Sequence, residues 1–344
     1  MTNEASMRSS SLPALLFRGR LPLVIGGLLL YMALYDRSFF IPENLLNIVS
    51  YSSINGLLAT GMTMLMISRE FDISVGSNLV LSGVVGVLAA NHVGPAAGIA
   101  LGVASGGMMG LINGWLVAKA NVNSFIATLG SMVIFQGIAF ALTDMKPVAC
   151  DLVGFDTLGG GEWLGLPAPI LCFAGVTALI WFFLAFTRVG KYAYAIGGNR
   201  RGCRNLGIAV DRWRIGYFVI CGLCASFAGV ILASKLGAAS ATFGENVSLV
   251  VIAAIVLGGV PLSGGAGSIP GVVGAILLLG LIDSMTIYLN VFGYYQKLFW
   301  ALLLIGVVVL DGLYARRVNR RIELAELLRL KRESQTAAPR EAKE

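Results

Sequence analysis

The sequence predicts an all-α, polytopic membrane protein, and two observations lead to that prediction. The first is composition: 57% of the 344 residues are hydrophobic and only 12% are charged, whereas a soluble domain carries about 25% charged residues. The second is the arrangement of the apolar residues, which form long runs separated by short polar stretches. Because about 20 residues of helix cross the hydrocarbon core of a bilayer, each long run is a candidate membrane span.

About ten spans are predicted, of which the eighth is short. The first is interpreted as an uncleaved span, because Arg18 and Arg20 precede it but no small-x-small cleavage site follows it. The predicted spans are 21–40, 49–67, 75–91, 96–118, 124–143, 168–186, 215–235, 247–260, 269–289 and 295–313.

The Lys and Arg residues orient these spans. An even number of spans places both termini on one side of the membrane. With the termini inside, only four of the 25 cations fall at or near the outer face: Arg37, Lys146, Lys235 and Lys297. Cytoplasmic loops are the ones enriched in Lys and Arg, so both termini are predicted to be cytoplasmic.

This orientation divides the chain into three parts. A cytoplasmic N-terminal segment is followed by the transmembrane domain, which contains a basic cytoplasmic loop and an acidic, glycine-rich outer loop. A basic tail then lies on anionic lipid headgroups. The three parts are 1–20, 21–313 and 315–344, and the two loops are 187–214 and 144–167.

The fourth span carries a glycine at every fourth position. Small residues at this spacing let a second helix approach closely, which favours association in lipid, where no hydrophobic force drives helices together. We assign this stripe to helix packing and to no transport chemistry. Its members are Gly98, Gly102, Gly106, Gly110 and Gly114.

Two polar, glycine-containing stretches interrupt the apolar pattern at predicted membrane boundaries, at 68–78 and 258–268. Irregular backbone near membrane depth persists only where protein or a water-filled cavity satisfies its hydrogen bonds. Each stretch is therefore a candidate broken or re-entrant element, and a plain cytoplasmic turn is an equal alternative. Their weak likeness to each other hints at an internal repeat.

Few ionisable residues lie within the predicted spans. Asp283 is the best candidate for a buried carboxylate, although it could also be hydrated or paired with Lys297 near the end of its span. Asn78, Gln136 and Asn246 could line a hydrophilic path or could hydrogen-bond a neighbouring helix, which is the commoner role. No chain of acidic groups runs through the spans, which weakens a proton-coupled mechanism.

Several classes of site are disfavoured. One histidine, His92, cannot build a histidine metal site, and Cys221 and Cys224 lie in an apolar run where packing is the favoured role. The glycine-rich stretch 258–268 lacks the Gly-Lys-Ser/Thr ending of a phosphate-binding loop. The net charge of +7 is distributed over short loops, which is not a nucleic-acid-binding pattern. The sequence therefore predicts no metal, no bound cofactor, no nucleic-acid partner and no enzyme.

Four stretches, in one order along the chain, resemble the motifs of a known family. They are FDISVGS at 71–77, ATLGSM at 127–132, GGN through NLGI at 197–208, and AAIVLGG followed by LSGGAGS at 253–268. On these motifs the chain resembles the ribose-type inner-membrane permeases of bacterial ATP-binding-cassette (ABC) importers. The resemblance covers roughly residues 40–313 and is specific to the family, not to one substrate.

The chain also departs from the family pattern. Arg69 and Glu70 stand where the family usually has Gly-Gly, 201–203 replaces small, alanine-rich residues, and 260–261 alters the turn before Leu262. The two charges beside Asp72 put a simple lining role for that aspartate in doubt, and an Arg69–Asp72 ion pair is a competing interpretation.

The resemblance implies a permease subunit that translocates a monosaccharide or similar polyol across the bacterial inner membrane. Its expected partners are a second permease copy or paralogue, a cytoplasmic ATPase that carries ATP and Mg²⁺, and a periplasmic sugar-binding protein. Pentoses, deoxyhexoses and a furanose-like signalling molecule all remain possible substrates. The alternative is a secondary transporter of a small polar solute driven by an ion gradient.

The resemblance also marks two groups of residues. Positive-inside bias explains the cations at the ends of the basic loop, but not its central Gly-Gly-Asn start, short helix and Gly207 stop. The expected ATPase-coupling residues are Asn199, Arg200, Arg201, Arg204, Asn205, Leu206 and Gly207. The expected translocation-path residues are Asp72, Ser74, Asn78, Gln136, Asn246 and Asp283.

Overall fold

The computed structural model is built almost wholly from α-helices, which confirms the predicted fold class. It describes residues 11–150, 152–244 and 247–295, together with 298, 301–302, 305–306 and 309; for 11–20 it describes the backbone only. The helices are α1 Ser11–Tyr35, α2 Pro42–Ile67, α3 Val75–Val93, α4 Pro95–Ala118, α5 Ser124–Thr143, α6 Ala168–Phe186, α7 Arg188–Gly198, α8 Arg200–Asn205, α9 Val210–Leu236, α10 Val247–Leu257 and α11 Ile269–Tyr288.

Within the part of the chain that the structure describes, six helices are long and apolar enough to cross a membrane, namely α3, α4, α5, α6, α9 and α11. The predicted eighth span is the 11-residue α10, which at 1.5 Å per residue is only about 16 Å long. The predicted tenth span, 295–313, falls largely outside the described residues, as do the first ten residues and the tail 315–344. The count of ten spans and the cytoplasmic position of both termini remain predictions.

The core of the molecule forms around α9, which packs against α2, α3 and α4. The close approach of α4 depends on its glycine stripe. A Cβ atom on Gly110 would overlap the backbone of Phe218 in α9, and one on Gly98 would lie 2.6 Å from the Gly86 carbonyl oxygen in α3. The stripe therefore faces two helices in turn, α3 in its first half and α9 in its second.

The basic loop 187–214 is more helical than its sequence suggested. The short helix expected in its centre is α8, but α7 precedes it and α9 begins at Val210. Helix α7 has an apolar face, with Ala193, Ile196 and Gly197 buried, and it packs against α6, α2 and α9. The prediction of a loop with a single short helix was wrong, because the small and apolar residues of α7 form a second helix with a buried face.

The predicted outer loop 144–167 contains three short strands among its described residues, and a fourth strand follows α9. The strands are β1 Val148–Ala149, β2 Glu162–Trp163, β3 Leu166–Pro167 and β4 Ala238–Ala239. Strand β1 pairs antiparallel with β4, and β2 with β3. The Ser234 hydroxyl, on the last turn of α9, donates to the Phe155 carbonyl at 2.6 Å and accepts from the Gly159 amide at 2.8 Å. These bonds fix the loop on the end of α9.

Candidate functional site

The four sequence motifs meet at the segment 68–74, which we call the α2–α3 connection. Ser68, Glu70, Asp72 and Ser74 are at most 3% exposed, and only Arg69 of this segment is exposed. The connection is therefore largely buried, and the choice between a broken or re-entrant element and a cytoplasmic turn stays a prediction. Neighbouring helices cover the segment and supply its hydrogen-bond partners.

Side chains from α5 and α10 satisfy the backbone of the α2–α3 connection. The Ile73 amide donates to the Thr128 hydroxyl at 3.1 Å, and Thr128 belongs to the ATLGSM motif. The Ser248 hydroxyl donates to the Ile73 carbonyl at 2.7 Å and accepts from the Gly76 amide at 3.0 Å. Because unpaired buried backbone groups are costly, these hydroxyls help to hold an irregular segment in the interior.

The second glycine-rich stretch, 258–268, touches the first. The Gly265 amide donates to the Ile67 carbonyl at 2.8 Å. Gly197, at the end of α7, is packed so closely that a Cβ atom there would overlap the Ile67 carbonyl oxygen. Tyr194 of α7 also donates to the Gly267 carbonyl at 2.9 Å. The α2–α3 connection, the stretch 258–268 and helix α7 thus form one junction. Most residues of 258–268 are nevertheless partly exposed.

Asp72 lies at the centre of a small buried polar cluster. One carboxylate oxygen accepts from the Ser74 amide at 2.9 Å and from the Ser74 hydroxyl at 2.5 Å. Asn113 of α4 donates to the Ser74 hydroxyl at 2.8 Å and approaches both Asp72 oxygens at 3.5 Å. Burial raises the pKa of the Asp72 carboxyl above its usual 3.8, while the hydrogen bonds from Ser74 and Asn113 act in the opposite direction.

The alternative Arg69–Asp72 ion pair is not among the ion pairs of the described residues. Arg69 is exposed and has a φ of 65°. Arg69 therefore does not pair with Asp72, whose hydrogen-bond partners are Ser74 and Asn113. The interpretation of these two residues as a pair was wrong.

The other expected path residues are dispersed. Asn78 is 1% exposed; it donates to the Gly106 carbonyl at 3.3 Å and accepts from the Ser82 hydroxyl at 3.0 Å. Gln136 donates to the Ala241 carbonyl, and the Asp283 carbonyl accepts from the Thr286 hydroxyl at 2.7 Å. Asn246 and Lys297 lie outside the described residues. The structure thus groups Asp72 with Ser74, and the role of all six residues in transport remains a prediction.

The expected coupling segment is a capped helix on the surface. Asn199 caps α8 by accepting from the Gly202 amide at 2.8 Å. After α8, Gly207 has a φ of 77°, and the Ile208 amide donates to the Cys203 carbonyl at 3.1 Å, the bond that closes a Schellman-type helix end. Leu206 is 82% exposed. The segment is therefore accessible to a partner protein.

Glu70 joins the coupling segment to the α2–α3 connection. Its buried carboxylate accepts from Arg200 of α8 at 2.5 Å and from Arg214 of α9 at 2.7 Å. Arg214 also donates to the Val117 carbonyl at 3.2 Å. Burial lowers the pKa of the Arg200 guanidinium, and the negative charge of Glu70 opposes that shift.

Comparison with known proteins gives the family. The model of the family described as "Branched-chain amino acid transport system / permease component" matches residues 44–308. The chain belongs to this family.

Individual relatives of the permease agree with that assignment. The ribose import permease protein RbsC of Escherichia coli K12 is 37% identical over 286 residues, covering 80% of this chain and 87% of that protein. RbsC of Bacillus subtilis 168 is 37% identical over 287 residues, covering 83% and 89%. The L-arabinose transport system permease protein AraH of E. coli K12 is 36% identical over 271 residues, covering 78% and 82%. No solved structure matches the chain.

Membership makes the protein a transport component and not an enzyme, and with its apolar helices it is a multi-pass protein of the bacterial inner membrane. Sequence reasoning missed two contributors to the site in this permease, Asn113 and Glu70. Asn113 stands beside Gly114 in the glycine stripe, and a polar residue there was an available signal. Glu70 stands at a departure from the family motif, and Arg214 stands at a span end, where positive-inside bias already accounts for a cation.

Proposed function

We propose that this permease translocates a monosaccharide of the pentose class as the membrane-spanning subunit of an ABC importer. The relatives support a sugar: their names specify ribose and L-arabinose, and each resembles most of the chain. The family description names branched-chain amino acids, whereas the named relatives are ribose and L-arabinose permeases. The substrate proposal therefore rests on these relatives, which match most of the chain.

One observation supports the ABC mechanism best: the four motifs converge on the α2–α3 connection, and the exposed coupling segment is attached to it. Force applied at 199–207 would reach the connection through two routes. One runs through Gly197 and Gly265 to Ile67, and the other runs through the ion pairs of Glu70. A partner can drive such a repacking only if it binds the two arrangements with different affinities.

The proposed partners follow from this mechanism. A cytoplasmic ATPase would contact the coupling residues and would carry ATP and Mg²⁺. A second permease, either a copy or a paralogue, would complete the pathway, and a periplasmic sugar-binding protein would deliver the substrate at the outer face near 144–167.

Three of the proposed path residues are closed off in this conformation. Asp72, Ser74 and Asn78 are at most 1% exposed. Asn78 of α3 donates to the Gly106 carbonyl of α4, and Asn113 of α4 donates to the Ser74 hydroxyl. A sugar could reach them only after those helices separate. Transport through this region therefore requires the repacking that the ATPase would drive.

The proposal is tested by reconstitution. The permease is placed in vesicles with its ATPase, and uptake of labelled ribose and L-arabinose is measured with the sugar-binding protein outside. ATP-dependent uptake of a pentose is expected, and none is expected from the permease alone under a proton or sodium gradient. Gradient-driven uptake by the permease alone would establish the ion-coupled alternative instead.

A further inference from the structure

We propose that Glu70 is a positioning residue that makes the α2–α3 connection move with the coupling helix α8. The proposal rests on the ABC-importer function proposed above. It assigns a role to a residue that lies just before the first of the four motifs and outside all of them.

The two ion pairs of Glu70 differ in solvent exposure. One carboxylate oxygen accepts from both arginines, and the Glu70 side chain is 3% exposed. The Arg214 side chain is 5% exposed, whereas the Arg200 side chain is 33% exposed. Breaking a buried pair by removing one partner is strongly destabilising, while a half-exposed pair is screened by water. The Arg214 contact is therefore the permanent one, and the Arg200 contact is the one that can change.

The permanent side is anchored to the packed helices. Arg214 lies on the first turns of α9 and bonds to the Val117 carbonyl near the end of α4. It also lies 3.6 Å from Asp211, one turn earlier on α9. These contacts join Glu70 to α4 and α9, the two helices that pack through the glycine stripe.

The changeable side is attached to the surface helix. Arg200 is the first residue of α8, directly after the Asn199 cap. On the other side of the contact, Glu70 lies two residues before Asp72, whose carboxylate bonds Ser74 at the start of α3. A displacement of α8 must therefore either pull the α2–α3 connection or break a charge-assisted hydrogen bond, which is among the stronger interactions available.

A purely structural role is the competing interpretation: Glu70 would only neutralise the buried Arg214. The two roles differ in their dependence on Arg200. If Glu70 serves Arg214 alone, removing the charge of Arg200 leaves the α2–α3 connection unaffected. If Glu70 couples two elements, that change loosens α8 from the connection while the Arg214 pair keeps the fold intact.

The first measurement is hydrogen exchange of the purified permease in detergent, without partners. We compare the wild type with Arg200→Gln, Glu70→Gln and the double variant. The matched control is Arg212→Gln, an exposed arginine on the same turn of α9 as Arg214. In Arg200→Gln, the amides of Cys203, Leu206 and Ile208, which close α8, are expected to exchange about tenfold faster or more.

Two further outcomes complete the expectation for exchange. The amides of Ile73 and Ser74, on the connection, are expected to lose protection as well, and Arg212→Gln is expected to match the wild type. The α8 amides of the double variant are expected to exchange no faster than those of Glu70→Gln alone, because both changes break the same Arg200–Glu70 contact. Unchanged exchange of the Ile73 and Ser74 amides in Arg200→Gln would overturn the proposal, even if α8 exchanges faster, and this readout does not depend on which solute is transported.

The second measurement separates coupling from stability. In vesicles with the ATPase and binding protein, Arg200→Gln is expected to lower sugar uptake per ATP hydrolysed about tenfold or more while ATP hydrolysis continues. Equal falls in uptake and hydrolysis would show a merely structural role. If exchange changes as expected but the wild type transports no sugar with ATP, the link stands and the proposed function fails. If the wild type transports and Arg200→Gln couples normally, the function stands and the proposed role of Glu70 fails.

Discussion

At the residue scale, the site is defined by buried polar groups that satisfy one another. Asp72, Ser74 and Asn113 share hydrogen bonds in an interior where unpaired groups would be costly. The side-chain amide oxygen of Asn113 (Oδ1) nevertheless has no hydrogen-bond partner among the described residues. A cluster with one unsatisfied acceptor is less stable than a complete one, which fits the proposed opening of this region during transport.

Gly207 gives a prediction at the same scale. Its φ of 77° is unfavourable for any side chain, and a β-branched residue in a sparsely populated backbone region costs about 1–3 kcal/mol. Space is not the limit, because no atom lies within 4 Å of a Cβ built there. Gly207→Val is therefore expected to disturb the end of α8 and to lower uptake per ATP hydrolysed in reconstituted vesicles.

The control for this prediction is Gly207→Asn, because asparagine tolerates the left-handed conformation better than other residues with side chains. It is expected to retain more coupling than Gly207→Val. Normal transport by the valine variant would show that the conformation of this helix end does not affect coupling to the ATPase.

At the element scale, the pairing of α4 with α9 is set by backbone contact. Gly222 of α9 faces Gly106 and Gly110 of α4, so each helix presents glycine to the other. In a membrane this contact supplies van der Waals energy that larger side chains would prevent. The same helix pair carries Asn113 and Arg214, so its fit also positions the polar site.

Helix α4 gives the second prediction. Gly110→Ala is expected to lower the free energy of unfolding by about 1–3 kcal/mol, because the new methyl group would overlap the Phe218 backbone. The measurement is thermal unfolding in detergent. Gly137→Ala in α5 is the control, since nothing lies within 4 Å of that position, and its midpoint is expected to stay the same or rise. Equal midpoints for both variants would contradict the packing argument.

At the scale of the whole molecule, two surfaces are expected on opposite sides of the membrane. Val153, in the outer loop, is 95% exposed, and Leu206, in the coupling segment, is 82% exposed. All five cysteines are free, and four of them are buried, which favours labelling of an introduced cysteine. Orientation by positive charge predicts that Val153 faces the periplasm and Leu206 the cytoplasm.

This prediction is checked with a membrane-impermeant thiol reagent on intact cells in which only the outer membrane is permeable. Val153→Cys is expected to react at once, and Leu206→Cys only after the inner membrane is opened. The reverse pattern would invert the predicted topology. The wild type, which carries the native cysteines, measures the background.

Local patterns in the sequence determined the class of this protein. Runs of apolar residues predict helices in lipid, a glycine at every fourth residue of α4 predicts close packing, and the Gly207 stop predicts the end of α8. All three depend on residues that are near one another along the chain, so their physical cause is visible in spacing alone. The resemblance of the four motifs to the permease family has the same origin.

Only the tertiary structure decided which residues meet. Glu70 finds Arg200 and Arg214 across 130 and 144 positions of the chain, and Asn113 reaches Ser74 across 39. No local pattern encodes such pairs, because they depend on how α4 and α9 pack and on where the chain is irregular. The sequence therefore predicted a permease with a coupling segment. The packing of the helices joins this segment to the α2–α3 connection through Glu70, next to Asp72. A buried charge is stable only beside its partners, which is why Glu70 meets Arg200 and Arg214 there.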